Sequence, residues 1–122
     1  MEPKKILLVD DDSDFLESLQ LIIFEEGHRV YPISNGNDAL LQYKKIKPDI
    51  VFLDLKMPGM DGYETCKNIL KHDPKAQVVF MSGHMIDVVK HGEIKKSIVG
   101  TIIKPIHFGE IKKIIKKYTK IS

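Results

Sequence analysis

The sequence predicts an α/β fold in which the strands of a parallel sheet alternate with amphipathic helices. Two observations support this prediction. Short runs of purely apolar residues recur along the chain, and such runs are typical of strands that helices cover on both faces. The segments between them carry apolar residues at the spacing of one helix face. The predicted strands are residues 6–9, 30–33, 50–53, 78–81 and 99–103.

Five helices are predicted between and after these strands. The first begins at Ser13, and Gly27 follows its last turn. Asp61 can accept a hydrogen bond from the first turn of the third helix. The fourth helix, roughly residues 86–95, is expected to be short or mobile because Gly92 falls in its middle. The last helix carries an apolar stripe of Ile111, Ile114, Ile115 and Tyr118.

The economical arrangement of these elements is a flavodoxin-like, doubly wound sheet with the strand order 2-1-3-4-5. Parallel strands joined through helices require right-handed crossovers, which place helices on both faces of the sheet. Pro32 cannot donate a hydrogen bond to a neighbouring strand, so the second strand is expected at an edge. The length of 122 residues predicts one domain, residues 1–122, with no room for a separate effector module.

Composition excludes several classes of function. The net charge of +2 comes mostly from a lysine-rich end, which is typical of a solvated helix face, so no direct nucleic acid binding is expected. The single Cys66 cannot form an internal disulfide and is interpreted as a small core residue. The five histidines are scattered without zinc-site spacing. No apolar run approaches membrane-spanning length, so a cytoplasmic protein without a membrane partner is expected.

Acidic residues follow two of the predicted strands. Asp10 and Asp11 come directly after the first strand, and Asp54 ends the third. The predicted strand order makes these strand ends neighbours, in the crevice where open parallel sheets bind ligands. Carboxylates gathered there repel one another unless a cation is bound. Hard oxygen ligands without nearby His or Cys favour Mg²⁺ as the cofactor.

A hydroxyl group and an ammonium group follow the next two strands. Ser82 can donate to a phosphoryl oxygen, and Lys104 can reach one with its flexible side chain. Gly83 allows the backbone to approach closely. Asp54 is then the candidate nucleophile, since a carboxylate can accept a phosphoryl group as an aspartyl phosphate.

The residues that carry this chemistry resemble the response-regulator receiver domain of two-component signalling. The matching motifs are residues 6–12, 54–62, 81–83 and 104–105, and the resemblance covers the whole chain. Single-domain receivers of the chemotaxis-regulator and sporulation-phosphorelay types are similar. The resemblance implies that Asp54 accepts phosphate from the phosphohistidine of a sensor histidine kinase or a histidine phosphotransferase.

The resemblance also implies roles for the surrounding residues. Asp11 and Asp54 are expected to ligate Mg²⁺ directly, Asp10 to act through water, and the backbone carbonyl of Lys56 to complete the protein ligands. Lys104 is expected to pair with the phosphoryl group. Ser82 is expected to move in and hydrogen-bond to that group, and the peptide before Pro105 is expected to be cis.

One departure from the family concerns the output. Three residues before the lysine, where the family usually has Tyr or Phe, this chain has Thr101. An aromatic rotamer switch cannot operate there, so we expect phosphorylation to alter the surface around the fourth helix and the fifth strand instead. The downstream protein target is unknown. A monomer or a weak phosphorylation-linked dimer is expected.

Two long side chains are expected to affect the lifetime of the phosphoryl group. Lys56 lies two residues after the acceptor, where sporulation-type regulators also have lysine, and His84 lies two residues after Ser82. We expect them to obstruct an in-line water and to make self-dephosphorylation slow. The alternative is that both are solvated side chains without a role.

Phe15, in the first turn of the first helix, is expected to point partly outward beside the acceptor. It is interpreted either as an anchor for the helical bundle of the phosphoryl donor or as part of the core packing.

Two other functions use a similar site. A phosphatase of the haloacid dehalogenase type also forms an aspartyl phosphate, but it needs a second Asp two residues after the nucleophile, where this chain has Lys56. A flavodoxin-like cofactor binder needs a phosphate-cradling loop, whereas the loops here are acidic. The chain is therefore predicted to be a phosphoryl acceptor rather than a classical enzyme.

Overall fold

A five-stranded parallel sheet with helices on both faces forms the centre of the computed structural model, which describes residues 3–57, 59–83, 98–104 and 108–119. The strand order is β2-β1-β3-β6-β7, which confirms the predicted order 2-1-3-4-5 and the α/β fold class. The elements are β1 (Lys5–Val9), α1 (Ser13–Glu25), β2 (Arg29–Ile33), a 3₁₀ turn (Gly36–Asp38), α2 (Ala39–Ile46), β3 (Ile50–Asp54), β4 (Lys56–Met57), β5 (Met60–Asp61), α3 (Gly62–His72), β6 (Val78–Ser82), β7 (Ile98–Ile103) and α4 (Phe108–Thr119).

The described part of the chain contains four of the five predicted α-helices. The predicted fourth helix, roughly residues 86–95, lies outside the described residues. The predicted ends of the first and third helices are confirmed. Gly27, with a φ of +90°, follows α1, and the Asp61 side chain accepts a hydrogen bond from Tyr63 N at the start of α3.

Strand register brings the ends of the predicted acidic strands together. Val9 of β1 is paired with Leu53 of β3, so the next residues on the two strands, Asp10 and Asp54, lie side by side at the end of the sheet. Ser82 of β6 is paired with Ile103 of β7, and Lys104 follows directly. All four strand ends therefore lie along one edge of the sheet.

Each face of the sheet has its own hydrophobic cluster, because successive strand residues point to opposite faces. Leu8 and Phe52 lie in the cluster that α1 and α4 cover, and Leu7 and Leu53 lie in the one that α2 and α3 cover. Cys66 of α3 is fully buried in the second cluster, as predicted for a small core residue.

Two glycines allow close packing near the strand ends. A Cβ atom at Gly62 would lie 2.5 Å from Leu55 Cα, so glycine lets α3 begin directly against the turn that follows Asp54. A Cβ atom at Gly100 would collide with the ring of Tyr118, which packs α4 onto β7.

A short antiparallel hairpin, β4 and β5, was not predicted. Lys56 is paired with Asp61 and Met57 with Met60 immediately after the acceptor strand. Gly59, with a φ of +73°, occupies the left-handed region that the turn between the two strands requires.

Among the described residues, no helix combines the length and the apolar character needed to cross a membrane.

Candidate functional site

Three carboxylates meet at the carboxyl edge of the sheet. Asp10, Asp11 and Asp54 each place one oxygen so that the three oxygens lie within 4.8 Å of one another. Asp10 is fully buried, Asp54 is 5% exposed, and Asp11 is exposed. A cluster of two buried acids beside an accessible one is costly on its own, because like charges repel and burial removes their hydration.

Asp54, the last residue of β3, is held by the backbone on either side of it. The next residue, Leu55, donates its backbone N–H to Met81 O of β6 at 3.0 Å, so the chain stays hydrogen-bonded to β6 just after Asp54. Lys56 N donates to Asp54 Oδ1 at 3.2 Å. Burial is the main cause that raises the pKa of Asp54 to about 6, and the charge of Asp10 adds to it, while the Lys56 N–H and Lys104 oppose it. The carboxylate is therefore ionised at neutral pH and unusually basic for an aspartate.

Asp10 is held by three hydrogen bonds. Its backbone N donates to Ile33 O at 3.0 Å, its Oδ1 accepts from Asp12 N at 2.9 Å, and its Oδ2 accepts from Lys104 Nζ at 2.5 Å. Each oxygen of this fully buried carboxylate thus has a donor.

Lys104, directly after β7, places a positive charge beside these carboxylates. Its Nζ lies 2.5 Å from Asp10 Oδ2 and 3.5 Å from Asp54 Oδ2, and its side chain is 18% exposed. Its backbone N donates to Ser82 O at 2.7 Å, which fixes the start of the side chain beside the end of β6. The ammonium group therefore contacts the candidate acceptor and one of its acidic neighbours at once.

Phe15 contributes a contact that the sequence did not suggest. The Lys104 Nζ lies over its ring, 4.5 Å from the centroid. Phe15 is partly buried and packs against the cluster beneath α1 and α4, in agreement with the core-packing alternative, but the sequence did not predict its contact with Lys104. Its spacing alone carried no signal for this contact, since Phe15 and Lys104 are far apart in the chain.

The donor set fits Mg²⁺. This ion prefers carboxylate, carbonyl and water oxygens at about 2.0–2.1 Å, so its ligands lie about 3–4 Å from one another. The three carboxylate oxygens lie within 4.8 Å of one another, which is close to that spacing. The exposure of Asp11 leaves room for the waters that Mg²⁺ retains.

Four other predicted site residues lie in the described part of the chain. Ser82 is buried at the end of β6, and Gly83 is exposed just after it. Lys56 is exposed in β4, and Thr101 is exposed on the edge strand β7. His84 and Pro105, and with Pro105 the expected cis peptide, lie outside the described residues.

Comparison with known proteins decides the family. The model of the response regulator receiver domain matches residues 6–116. The chain belongs to the response regulator receiver domain family. The resemblance seen in the sequence is thereby confirmed.

Two relatives match nearly the full length of this receiver domain. Chemotaxis protein CheY of Thermotoga maritima is 33% identical over 118 residues, which are 96% of this chain and 98% of the relative. Sporulation initiation phosphotransferase F of Bacillus subtilis is 33% identical over an alignment of 123 positions, which covers 100% of this chain and 98% of the relative.

Solved receiver structures share the fold. The response regulator TrrA of Thermotoga maritima in complex with Mg(2+)-BeF has a TM-score of 0.78 at 29% identity, over 93% of this chain and 97% of TrrA. CheY of Borrelia burgdorferi, from its complex with CheX, BeF3 and Mg, has a TM-score of 0.84 at 27% identity, over 98% of this chain and 91% of the other. Receiver domains are phospho-acceptor switches of two-component phosphorelays rather than classical enzymes, and kinases or phosphotransferases supply their phosphoryl groups.

Proposed function

We propose that this receiver domain, residues 1–122, accepts a phosphoryl group on Asp54 in a Mg²⁺-dependent reaction. The donor is the phosphohistidine of a sensor histidine kinase or a histidine phosphotransferase. The proposal rests on how closely the carboxylates and the lysine lie together at the carboxyl edge of the sheet. Three carboxylate oxygens lie within 4.8 Å of one another, and Lys104 Nζ lies 3.5 Å from Asp54 Oδ2.

The transfer exchanges one bond to phosphorus for another. An Asp54 carboxylate oxygen attacks phosphorus, the P–N bond to the imidazole breaks, and the imidazole nitrogen keeps the electron pair. The raised pKa of Asp54, about 6, makes its carboxylate a better nucleophile than an ordinary aspartate while leaving it ionised at neutral pH.

Asp11, Asp54 and the backbone carbonyl of Lys56 would hold Mg²⁺ directly, with Asp10 acting through water. The bound ion supplies positive charge to the phosphoryl oxygens. The complex of the related TrrA with Mg(2+)-BeF supports Mg²⁺ binding by the family.

Lys104 and Ser82 stabilise the transferred group. Lys104 already contacts Asp54 Oδ2, so its ammonium is close to the oxygens of a group attached there. The Ser82 side chain donates a hydrogen bond to another oxygen, and the exposed Gly83 leaves room beside it. The peptide before Pro105, a residue outside the described part of the chain, is proposed to be cis.

Phosphorylation is proposed to change the surface around β7 and the segment before it. Thr101 is exposed on β7, and a threonine cannot report the movement of Ser82 by an aromatic rotamer. The output is therefore a shift of the loop and predicted helix between β6 and β7, read by a downstream protein. NMR spectra with and without beryllium fluoride and Mg²⁺ test this, and unchanged signals from residues 81–100 would contradict it.

The phosphoryl form is proposed to lose its phosphate slowly, because Lys56 and His84 obstruct an in-line water. Lys56→Ala and His84→Ala should each shorten its lifetime relative to the parent. Equal lifetimes in the three proteins would exclude this role.

Phe15 is proposed to contact the helical bundle of the donor protein, given its partial exposure beside the acceptor. In Phe15→Ala, phosphorylation by a phosphohistidine protein should slow more than phosphorylation by a small donor does, each measured against the parent. Equal slowing with the two donors would argue against docking.

The chain itself is proposed to be a monomer or a weak phosphorylation-linked dimer. Sedimentation with and without beryllium fluoride distinguishes the two.

One experiment tests the central proposal. The protein is incubated with Mg²⁺ and phosphoramidate, a small donor with a P–N bond, and intact mass is measured. One added phosphoryl group is expected in the parent and in Asp49→Asn, a matched substitution at the opposite edge of the sheet, but none in Asp54→Asn or after chelation of Mg²⁺. Uptake by Asp54→Asn, or equal uptake without Mg²⁺, would refute the proposal.

A further inference from the structure

We infer that Phe15 is a positioning residue for phosphoryl transfer, because its ring holds the Lys104 ammonium beside the acceptor. This inference rests on the proposed function and adds a role to a residue that the sequence suggested only for docking or packing. The observation is the position of Lys104 Nζ, 4.5 Å from the centroid of the Phe15 ring and 3.5 Å from Asp54 Oδ2.

The ring is itself held from two directions. The Asp12 side chain accepts a hydrogen bond from Phe15 N at 3.1 Å, which fixes the first turn of α1. The Phe15 side chain packs against the cluster beneath α1 and α4. The backbone of Phe15 is thus held by a hydrogen bond and its ring by packing, in contrast to the flexible four-carbon side chain of the lysine beside it.

An aromatic ring attracts an ammonium group through the negative face of its π system, which an aliphatic side chain of similar size does not do. Its apolar surface also keeps water from one side of the cation, as an aliphatic side chain would. Lys104 is only 18% exposed, so the attraction acts in a partly desolvated place where it is stronger than on a surface.

The consequence for the reaction is preorganisation. Among the described residues, the other contacts that restrain the Lys104 ammonium are those with Asp10 and Asp54, and Mg²⁺ competes for both carboxylates. The ring does not compete with Mg²⁺ or with a phosphoryl group for any oxygen. It can therefore keep the ammonium in place while Asp10 and Asp54 exchange contacts with Mg²⁺ and the phosphoryl group. The Lys104 side chain then loses less conformational entropy during transfer.

Phosphorylation by phosphoramidate separates this role from docking, since a small donor has no surface to dock. With Phe15→Leu, which keeps apolar packing but removes the π face, we expect a rate about threefold to tenfold lower than that of the parent. Phe15→Tyr should retain the parent rate. Phe24→Leu is the matched control, because Phe24 lies on the same helix and is 71% exposed, and it should also retain the parent rate.

Equal rates for the parent, Phe15→Leu and Phe15→Tyr would overturn the inference and leave the proposed function intact. Failure of the parent itself to take up phosphate would refute the proposed function instead.

Two further measurements cover the case in which Phe15→Leu disturbs folding. Replacing Phe15 with mono-, di- and trifluorophenylalanine weakens the π face stepwise with little change in shape, so the rate should fall stepwise. In the parent, the protons on Cε of Lys104 should show an upfield ring-current shift in the NMR spectrum. This shift needs no phosphorylation, and its absence, or a flat fluorination series, would overturn the inference.

Discussion

The two edges of the parallel sheet accommodate polar groups in different ways. At the amino edge, where the strands begin, acceptors are matched with backbone donors close by. Asp49 Oδ2 accepts from Lys5 N at 2.8 Å, and His28 Nδ1 accepts from Lys4 N at 3.0 Å. At the carboxyl edge, Asp10 and Asp54 lie close together and share one ammonium, that of Lys104.

Both edges are satisfied, since every buried side-chain nitrogen or oxygen of the described residues has a hydrogen-bond partner. The difference lies in what satisfies them. At the amino edge the donors to Asp49 and His28 are neutral backbone N–H groups. At the carboxyl edge backbone N–H groups and one ammonium share the two carboxylates. Because the two carboxylates share one ammonium, one negative charge is left over at the carboxyl edge. A bound divalent cation would neutralise it, and the cation could in turn hold a phosphoryl group. Function therefore lies at the edge where the arrangement is electrostatically incomplete.

The largest expected effect comes from removing the shared cation. Lys104→Met leaves the fully buried Asp10 without its ammonium partner, so in the absence of Mg²⁺ we expect the free energy of unfolding to fall by about 2–3 kcal/mol. Added Mg²⁺ should recover part of this loss by binding the same carboxylates. Urea denaturation with and without Mg²⁺ measures both effects.

The matched control for that variant is a surface ion pair. Lys112 Nζ lies 3.7 Å from Glu26 Oε1, and the Lys112 side chain is 60% exposed. Lys112→Met should change stability by less than about 0.5 kcal/mol. If the two lysine variants lost equal stability, the carboxyl edge would not differ from an ordinary surface.

The same substitution at the two edges should change stability in opposite directions. Asp54→Asn removes a charge that faces Asp10 but keeps an acceptor for Lys56 N, so without Mg²⁺ we expect stability to rise by about 1 kcal/mol. Asp49→Asn weakens a hydrogen bond without relieving any repulsion, so stability should fall by about 0.5 kcal/mol. Thermal denaturation of both variants beside the parent checks the signs, and a loss in Asp54→Asn would contradict the account of repulsion.

A hydrogen bond near the amino edge should matter for stability and not for phosphorylation. The hydroxyl of Tyr43 in α2 donates at 2.7 Å to Oδ2 of Asp73, the residue just after α3. Burial is the main cause that raises the pKa of Tyr43, and this hydrogen bond raises it further. Tyr43→Phe should lower the free energy of unfolding by about 1 kcal/mol. Phosphoryl uptake by the folded variant should equal that of the parent; a changed rate would mean that the two edges are coupled.

The smallest expected effect is a pH dependence at the amino edge. Burial lowers the pKa of His28 below its ordinary value of 6.5, with Lys4 acting in the same direction and Glu26 against it. Just below pH 6.5 the unfolded chain therefore binds a proton that the folded chain does not, and stability is lost as pH falls. His28→Asn keeps an acceptor for Lys4 N without titrating there.

Stability is measured for this variant and the parent at about pH 7.5 and about pH 5.5, where unperturbed histidine changes charge. The variant should lose less stability over this range than the parent. His72→Asn, at an exposed histidine, should behave like the parent. Because all three proteins share the carboxyl edge, their difference reports His28 alone; identical slopes would show that His28 does not contribute.

Much of the fold and of the site was predictable because both depend on local patterns. Apolar runs marked the strands, Pro32 marked an edge strand, and parallel pairing required the residues after β1 and β3 to meet. The β4–β5 hairpin was missed because strands of two residues have no periodicity to detect. The contact between Phe15 and Lys104 was missed because nothing in either local sequence indicates the other.

The sequence by itself determined which chemical groups this protein carries to the edge of its sheet, since each one directly follows or ends a strand. Only the tertiary structure decided how those groups are paired. The bond from Lys104 to Asp10 joins residues 94 positions apart, and its partner choice depends on strand register, on helix packing and on how deeply each carboxylate is buried. These are properties of the folded chain, because distance and desolvation between remote side chains exist only after the core has formed.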